Sequence, residues 1–426
     1  MRWNIDDSAF LVGESSSEQH YLYTWTPGNA ATLALAFGGG PSWGLPWSNS
    51  KWGPVWSRVS NHKIYTTKST DTTTLQSWQT NVTYPTLPTN TDFVNLSTFS
   101  NGAGCLSGVG AVAVSDPLNV STGDTWISDA WSTSSSQNTA RYAVSYNQTT
   151  ATCYMWNTSN GNYTTCAASG HCTTRSPVIC QNCGVGITNP GTFPIHNVKQ
   201  SADGRYLLVG IGGGCDAGST CYNGPASPYL FEVATGNVFV LCNASVGGLG
   251  TCGGHELAGT LNWVNNINTF QLAERLFSTP QTPTSFPSAL PCSPQPGTDW
   301  HGGWQNDNSV DTLGFFGGYD SLTNTANYTF CMVNEYVIMF PPSANSTLAT
   351  GTFKRVGHSF VSANACFNTQ IQLAEISQTG KYALITSNMG GGLGCMNGQA
   401  TGCTQSFTGG CSGLANRGDV FILTLR

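Results

Sequence analysis

One strand–turn–strand unit recurs along this chain, and it limits the fold more than any other feature. Residues 374–386 read AEISQTGKYALIT and residues 418–425 read GDVFILTL. That is an apolar strand, a turn carrying Gly380, a second apolar strand and then another. Residues 198–209 (VKQSADGRYLLV) with 227–241 (SPYLFEVATGNVFVL) repeat the pattern, with Asp203-Gly204 at the turn. Residues 4–12 (NIDDSAFLV) with 20–25 (HYLYTW) repeat it again, and weaker copies lie at 141–156 and 310–340. Short runs of Val, Ile, Tyr, Phe and Leu bounded by Gly, Asn, Asp and Ser read as strands and turns. No window of about eleven residues carries the i, i+3, i+4 apolar stripe of a helix. A unit of a few short strands cannot bury its apolar face alone, and tandem copies do so by packing radially. The expected fold is therefore all-β, a single β-propeller spanning residues 1–426. Laid end to end, the units give seven blades, at 1–50, 51–104, 105–192, 193–247, 248–296, 297–354 and 355–426. Long insertions at 27–50, 157–192, 276–299 and 389–416 are rich in Gly, Pro and Cys.

Composition then removes whole classes of function. Only 8% of the 426 residues are charged, against about 25% in ordinary soluble domains. With 15 Lys and Arg and a net charge of −6, no basic stripe exists to displace phosphate counterions, so nucleic acid is not an expected partner. No apolar run approaches the roughly 20 residues that span a bilayer, so membrane insertion is not expected. No Walker, Rossmann or GxSxG motif stands in its proper context, and no nucleotide or organic cofactor is expected. Met1-Arg2-Trp3-Asn4 leads straight into a strand-like segment, as in a mature or trimmed chain.

Sixteen cysteines place the chain in an oxidising compartment, either secreted or at the cell surface. Several are close in sequence: Cys153 and Cys166 flank a hairpin tip, Cys215 and Cys221 bracket a short loop, and Cys242 and Cys252 enclose a Gly-rich one. Cys395, Cys403 and Cys411 share another. Local disulfides stapling long loops fit this spacing, and the connectivity stays open. A zinc site at His171, Cys172, Cys180 and Cys183 lacks the second close pair such sites use.

Of seven histidines, four fall at comparable places. His196 lies ahead of the Asp203-Gly204 turn, His255 precedes AGTLNWV, His301 sits in DWHGGW, and His358 sits in VGHSF. Each is expected to open a successive blade, near the central channel. Imidazoles meeting there would suit a divalent transition metal such as Mn, Fe or Zn. Gln370 in FNTQIQ offers an oxygen ligand or a supporting hydrogen bond. Read singly, each His caps a strand or bonds a neighbouring backbone group; the recurrence is what raises the metal reading. Arg275, Arg355 and Arg417 are candidate carboxylate clamps. Asp6-Asp7 and Asp203 are expected to bond the backbone of their own turns.

The run GHSF…FNTQIQLAEISQTGKYALITSNM…RGDVFILTL, with GHEL at 254–257 and HGGW at 301–304, resembles secreted bacterial β-propellers of the oligogalacturonate lyase and TolB-like type. The resemblance covers about the C-terminal half. In those lyases a metal held by His and Gln binds a uronate carboxylate, and a His removes the proton alpha to it. By position, the resemblance implies His255, His301 and His358 with Gln370 as metal ligands, and His196 as the base.

Tryptophans form a second constellation. Trp43 and Trp47, with Trp52 and Trp56, lie in PSWGLPWSNSKWGPVW, where they either stack on sugar rings or plug the gap between blades. Trp300 and Trp304 flank His301 and are candidates to line a substrate site. Three functions remain open at this point. The first is a metal-dependent enzyme on acidic polysaccharide or oligosaccharide, a lyase acting by beta-elimination with Arg355 as clamp. The second is a non-catalytic propeller binding glycan or protein. The third is a self-assembling structural surface protein.

Overall fold

The computed structural model describes residues 2–13, 19–38, 55–56, 61, 63–67, 74–79, 89–95, 109–114, 118–120, 123–132, 140–147, 150, 152–158, 161–167, 172–175, 195–200, 205–211, 227–240, 258–259, 263–268, 271–276, 284–285, 298–304, 314–320, 335–340, 352–358, 374–377, 379–387 and 419–425. Among these residues every element is a strand, and every pairing is antiparallel between strands near in sequence. The first sheet holds β1 (Arg2–Trp3), β2 (Ala9–Gly13), β3 (Gln19–Thr24) and β4 (Thr32–Gly38), in that order. The second holds β5 (Val55–Trp56), β6 (Lys63–Thr67), β7 (Thr74–Gln79) and β8 (Thr89–Asn95).

The third sheet is wider. Its strands are β9 (Val109–Val114), β10 (Leu118–Val120), β11 (Gly123–Ser132), β12 (Ala140–Asn147), β13 (Thr152–Asn157), β14 (Tyr163–Ala167) and β15 (Cys172–Arg175). The long β11 carries β10 along its first half and β9 along its second. Next come β16 (Ile195–Gln200), β17 (Tyr206–Ile211), β18 (Ser227–Glu232) and β19 (Val238–Val240). The fifth sheet is β20 (Ala258–Gly259), β21 (Trp263–Asn268), β22 (Gln271–Leu276) and β23 (Thr284–Ser285). The sixth is β24 (Thr298–Trp304), β25 (Gly314–Asp320), β26 (Glu335–Phe340) and β27 (Thr352–His358). The last is β28 (Ala374–Ile376), β29 (Tyr382–Ser387) and β30 (Asp419–Thr424).

Each sheet touches the next in sequence, and the last touches the first. The contacts run mainly through leading strands: β1 with β5, β6 with β9, β11 and β12 with β16, β16 with β20, β20 with β24, β24 with β28, and β28 with β1. Sheets that meet through their first strands and close head to tail form a β-propeller. The fold class is therefore all-β, with the repeat read from the sequence built into a ring.

The repeat is also visible in individual hydrogen bonds. In the first unit the Asn4 N–H donates to the Ala9 carbonyl at 3.0 Å, and Asn4 Oδ1 accepts the Ala9 N–H at 3.0 Å. In the last unit the Ser377 N–H donates to the Tyr382 carbonyl at 2.8 Å, and Ser377 Oγ accepts the Tyr382 N–H at 3.2 Å. Asn4 and Ser377 are both fully buried. Three residues on, each turn enters the left-handed region, at Gly380 (φ 71) and at Asp7 (φ 61). Asp tolerates that conformation better than most side chains, so NIDDSA and SQTGKY build one turn from different residues. A further bond recurs in three units: Trp25 N–H to Ser8 carbonyl (2.8 Å), Val233 N–H to Arg205 carbonyl (2.8 Å) and Leu425 N–H to Lys381 carbonyl (2.7 Å).

Apolar layers between sheets hold the ring. Where the last sheet meets the first, Trp3, Phe10, Trp25 and Leu384 are buried together, with Tyr23, Tyr382, Val420 and Ile422 packed against them. Trp25 meets Tyr382 edge-on at 4.5 Å between ring centroids. Between the third and fourth sheets, Trp156 stacks on Phe231 at 5.7 Å. Tyr163 packs edge-on to the same ring, and its hydroxyl donates to the Val233 carbonyl at 2.7 Å. Each such side chain stabilises by about 1.5–3 kcal/mol on burial. Cys153 and Cys166 are also fully buried, and both are disulfide-bonded.

Candidate functional site

The first strands of successive sheets adjoin, so residues carried on them are the ones the fold can bring to a common axis. His196 is the second residue of β16, and His301 lies in the middle of β24. Both strands touch β20. The backbone register of β16 slips at His196, where Ile195 pairs with Ile211 and Asn197 with Gly210. Trp300 and Trp304 share β24 with His301. His255 precedes β20 by three residues and Gln370 precedes β28 by four; both lie outside the described residues, as do Trp43 and Trp47.

Two of the expected members stand elsewhere. His358 does not open a sheet: it ends β27 and pairs with Glu335 of β26. Arg355 lies on the same strand, opposite Val337. The order β24-β25-β26-β27 puts that strand at the far edge from β24. Three strand spacings are about 14 Å, so neither residue belongs with the leading strands. The division drawn at 354/355 cuts through β27, because TFKRVGH reads equally well as the end of one unit or the start of another.

Among the described residues no three His, Cys, Asp or Glu side chains gather as a metal-ion cage. Titration is perturbed instead in the core. Burial pushes the Tyr229 phenol up to about 12, and raises that of Tyr146 as well. Tyr229 packs against Trp156 between the third and fourth sheets, at 5.7 Å between ring centroids.

A polar junction links three sheets through one turn. The Asp7 carboxylate accepts from the Thr379 hydroxyl of the last sheet. Its neighbour Asp6 accepts from Asn61 Nδ2 of the second sheet at 2.6 Å. The Asp6 side chain also accepts the Ser8 N–H at 3.0 Å, the local turn bond expected of it. The reach to both neighbouring sheets has no signal in the sequence, since the partners lie 55 and 372 residues away. The arrangement is architectural: it ties the first sheet to both of its neighbours.

No protein-family model matches the chain, and no curated protein matches its sequence. Solved structures are similar in outline only. The C-terminal WD40 domain of Sif2 is 10% identical with a TM-score of 0.43, covering 90% of this chain and 91% of that one. The β-propeller domain of Cps50 (Swd1) from Myceliophteria thermophila is 9% identical with a TM-score of 0.41, covering 91% of each. Virginiamycin B lyase from Staphylococcus aureus is 10% identical with a TM-score of 0.34, covering 79% of this chain and 92% of that one. These likenesses assign no activity, and the propeller reading rests on this chain's own strand order and sheet contacts. Among the described residues no helix is long and apolar enough to cross a membrane.

Proposed function

We propose that this chain is a secreted, seven-bladed propeller with disulfide-stapled loops that cleaves acidic polysaccharide or oligosaccharide by beta-elimination at the axial end of its leading strands. The observation that carries this reading is that His196 lies in β16 and His301 in β24, two leading strands that both touch β20. His255, three residues ahead of β20, falls between them in the ring order. The disulfide bonding of Cys153 and Cys166 supports an oxidising compartment.

In this mechanism the uronate is bound with its carboxylate toward the axis. His196 takes the proton alpha to the carboxylate as general base. The electron pair left behind forms a carbon–carbon double bond as the bond to the leaving sugar oxygen breaks, and that oxygen takes up a proton. His255, His301 and Gln370 are the residues that would hold a divalent transition metal. Such an ion supplies the positive charge that makes the alpha proton acidic. Trp300 and Trp304 lie an odd number of positions from His301 on β24, so strand alternation gives them the other face; their stacking on sugar rings belongs to the binding reading below.

The test is incubation with polyuronates while following the ultraviolet absorbance of the unsaturated product, together with elemental analysis for Mn, Fe and Zn. His301→Ala is expected to lower turnover at least about a hundredfold, and His196→Ala to do so while leaving the metal content unchanged. A second reading, glycan binding without turnover, draws on the Trp300/Trp304 pair. It takes over if polyuronate binds in the presence of a chelator and no unsaturated product forms.

A further inference from the structure

Three cysteines stand in one line across three adjacent strands of the third sheet. Cys153 on β13 is the register partner of Cys166 on β14, and Cys166 is in turn the register partner of Cys172 on β15. We infer that Cys166 is the pivot of a disulfide relay whose bridge passes between Cys153 and Cys172, tying the edge strand β15 to the hairpin or releasing it.

Strand geometry makes both bridges available. Directly opposed residues in an antiparallel pair have Cα atoms about 4.5 Å or about 5.5 Å apart. Both spacings fall in the range that disulfides span, about 4.4–6.8 Å. A residue in the middle strand makes the wide, hydrogen-bonded kind of pair on one side and the narrow kind on the other, because its N–H and C=O point the same way. Register partners also share a face of the sheet. Cys166 thus has one partner of each kind, and neither is out of reach. Chain entropy does not choose between them. The two closed loops differ about twofold in length, which is about threefold in closure probability.

The chemistry needs no net oxidation. From a Cys153–Cys166 bridge, a Cys172 thiolate, which must first be released because no cysteine is free among the described residues, attacks the Cys166 sulfur. The Cys166–Cys172 bond forms, the Cys153–Cys166 bond breaks, and Cys153 leaves as a thiolate that takes up the proton Cys172 gave up. Where the third cysteine is bridged elsewhere, a small monothiol frees it first through a mixed disulfide. Cys153 and Cys166 are fully buried and disulfide-bonded, which limits access of a thiol to their sulfurs. β15, by contrast, is the edge strand, with Thr173 and Thr174 exposed. Entry from that side sets the direction in which a small thiol engages the ladder.

The experiment maps disulfides by non-reducing proteolysis and mass spectrometry. It uses the full chain equilibrated in a glutathione redox buffer, and the Cys153→Ser and Cys172→Ser variants. The expected result is both bridges in the unmodified chain, within roughly tenfold of each other. Cys166 should join wholly to Cys172 in the first variant and wholly to Cys153 in the second. The inference is overturned if Cys166 keeps one partner throughout the buffer series, or is alkylated as a free thiol when that partner is removed. A bond from Cys166 to any cysteine outside the three overturns it equally. The unmodified chain decides the matter by itself if either variant fails to fold.

Discussion

The Asp7 carboxylate accepts a hydrogen bond from the hydroxyl of Thr379, a residue 372 positions away. Asp7 is 5% exposed and holds a φ of 61°, in the place that Gly380 takes in the last unit. The left-handed residue of one turn therefore bonds the equivalent turn of the neighbouring sheet, and the bond closes the ring.

Asp7→Ala is expected to destabilise the fold by about 1–3 kcal/mol, through a lost buried hydrogen bond and a side chain forced into the left-handed region. Asp7→Gly loses the same bond but relaxes the backbone, so its cost should be about 1 kcal/mol smaller. Thr379→Val should couple to Asp7→Ala in a double-mutant cycle by about 0.5 kcal/mol or more. Urea unfolding midpoints measure all three. Equal losses for the Ala and Gly variants would show that the turn stores no backbone strain.

Gly236 lies in the turn after β18 with a φ of +75°, and a Cβ there would sit 2.8 Å from the Tyr163 ring. Gly236→Ala is expected to cost about 2–4 kcal/mol, combining overpacking with an unfavourable backbone region. Tyr163→Phe removes the bond to the Val233 carbonyl and should cost about 1–2 kcal/mol. In the Tyr163→Ala background the Gly236 substitution should lose its steric part, and thermal unfolding would read the difference. An unchanged penalty in that background would place the clash elsewhere.

Trp3 and Trp25 share one cluster but differ in their indole N–H groups. Trp25 Nε1 donates to the Asn29 carbonyl at 3.0 Å, whereas Trp3 Nε1 is buried without a partner among the described residues. An unmade buried hydrogen bond costs about 1–3 kcal/mol, so Trp3→Phe removes a penalty as well as some packing. It should be milder than Trp25→Phe by about 1 kcal/mol or more. Calorimetry on the two variants tests the order, and a reversed order counts against it.

Alkaline stability should carry the mark of Tyr229. Its phenol is pushed up to about 12 by burial, against about 10 in the unfolded chain. The unfolded state gives up its proton first. The contribution is therefore complete below pH 10 and lost as pH rises toward 12, amounting to about 2–3 kcal/mol at most. Tyr229→Phe should flatten the fall in stability across that window. It should also remove one late-ionising phenol from the titration followed in the ultraviolet. A fall of unchanged steepness would assign the alkaline loss to other groups.

Turns were the most legible part of the fold, because their chemistry is local. Gly380 and the strands on either side announce themselves through φ preference and period-2 alternation. Asp7 in the same role was harder to see, since Asp is only a tolerated substitute there. The histidines were legible as a recurrence but not as a set. His196 and His301 fall on leading strands, while His358 closes a sheet. Strand number within a unit is not written in the strand itself, so a slip of one strand moves a residue from the axis to the far edge. The three-cysteine line could not be read from spacing, because register between β14 and β15 depends on where the intervening turn begins.

The amino-acid order alone dictated strands, turns and their repetition, since each depends on torsional preference and on the alternation of apolar side chains over a few residues. Tertiary structure decided which sheets adjoin, that Trp25 meets Tyr382, and that Asp6 and Asp7 reach sheets on either side of their own. The reason is the range of the forces involved. A strand is stabilised by its near neighbours, whereas ring closure joins residues hundreds of positions apart through burial and single hydrogen bonds that have no local signature.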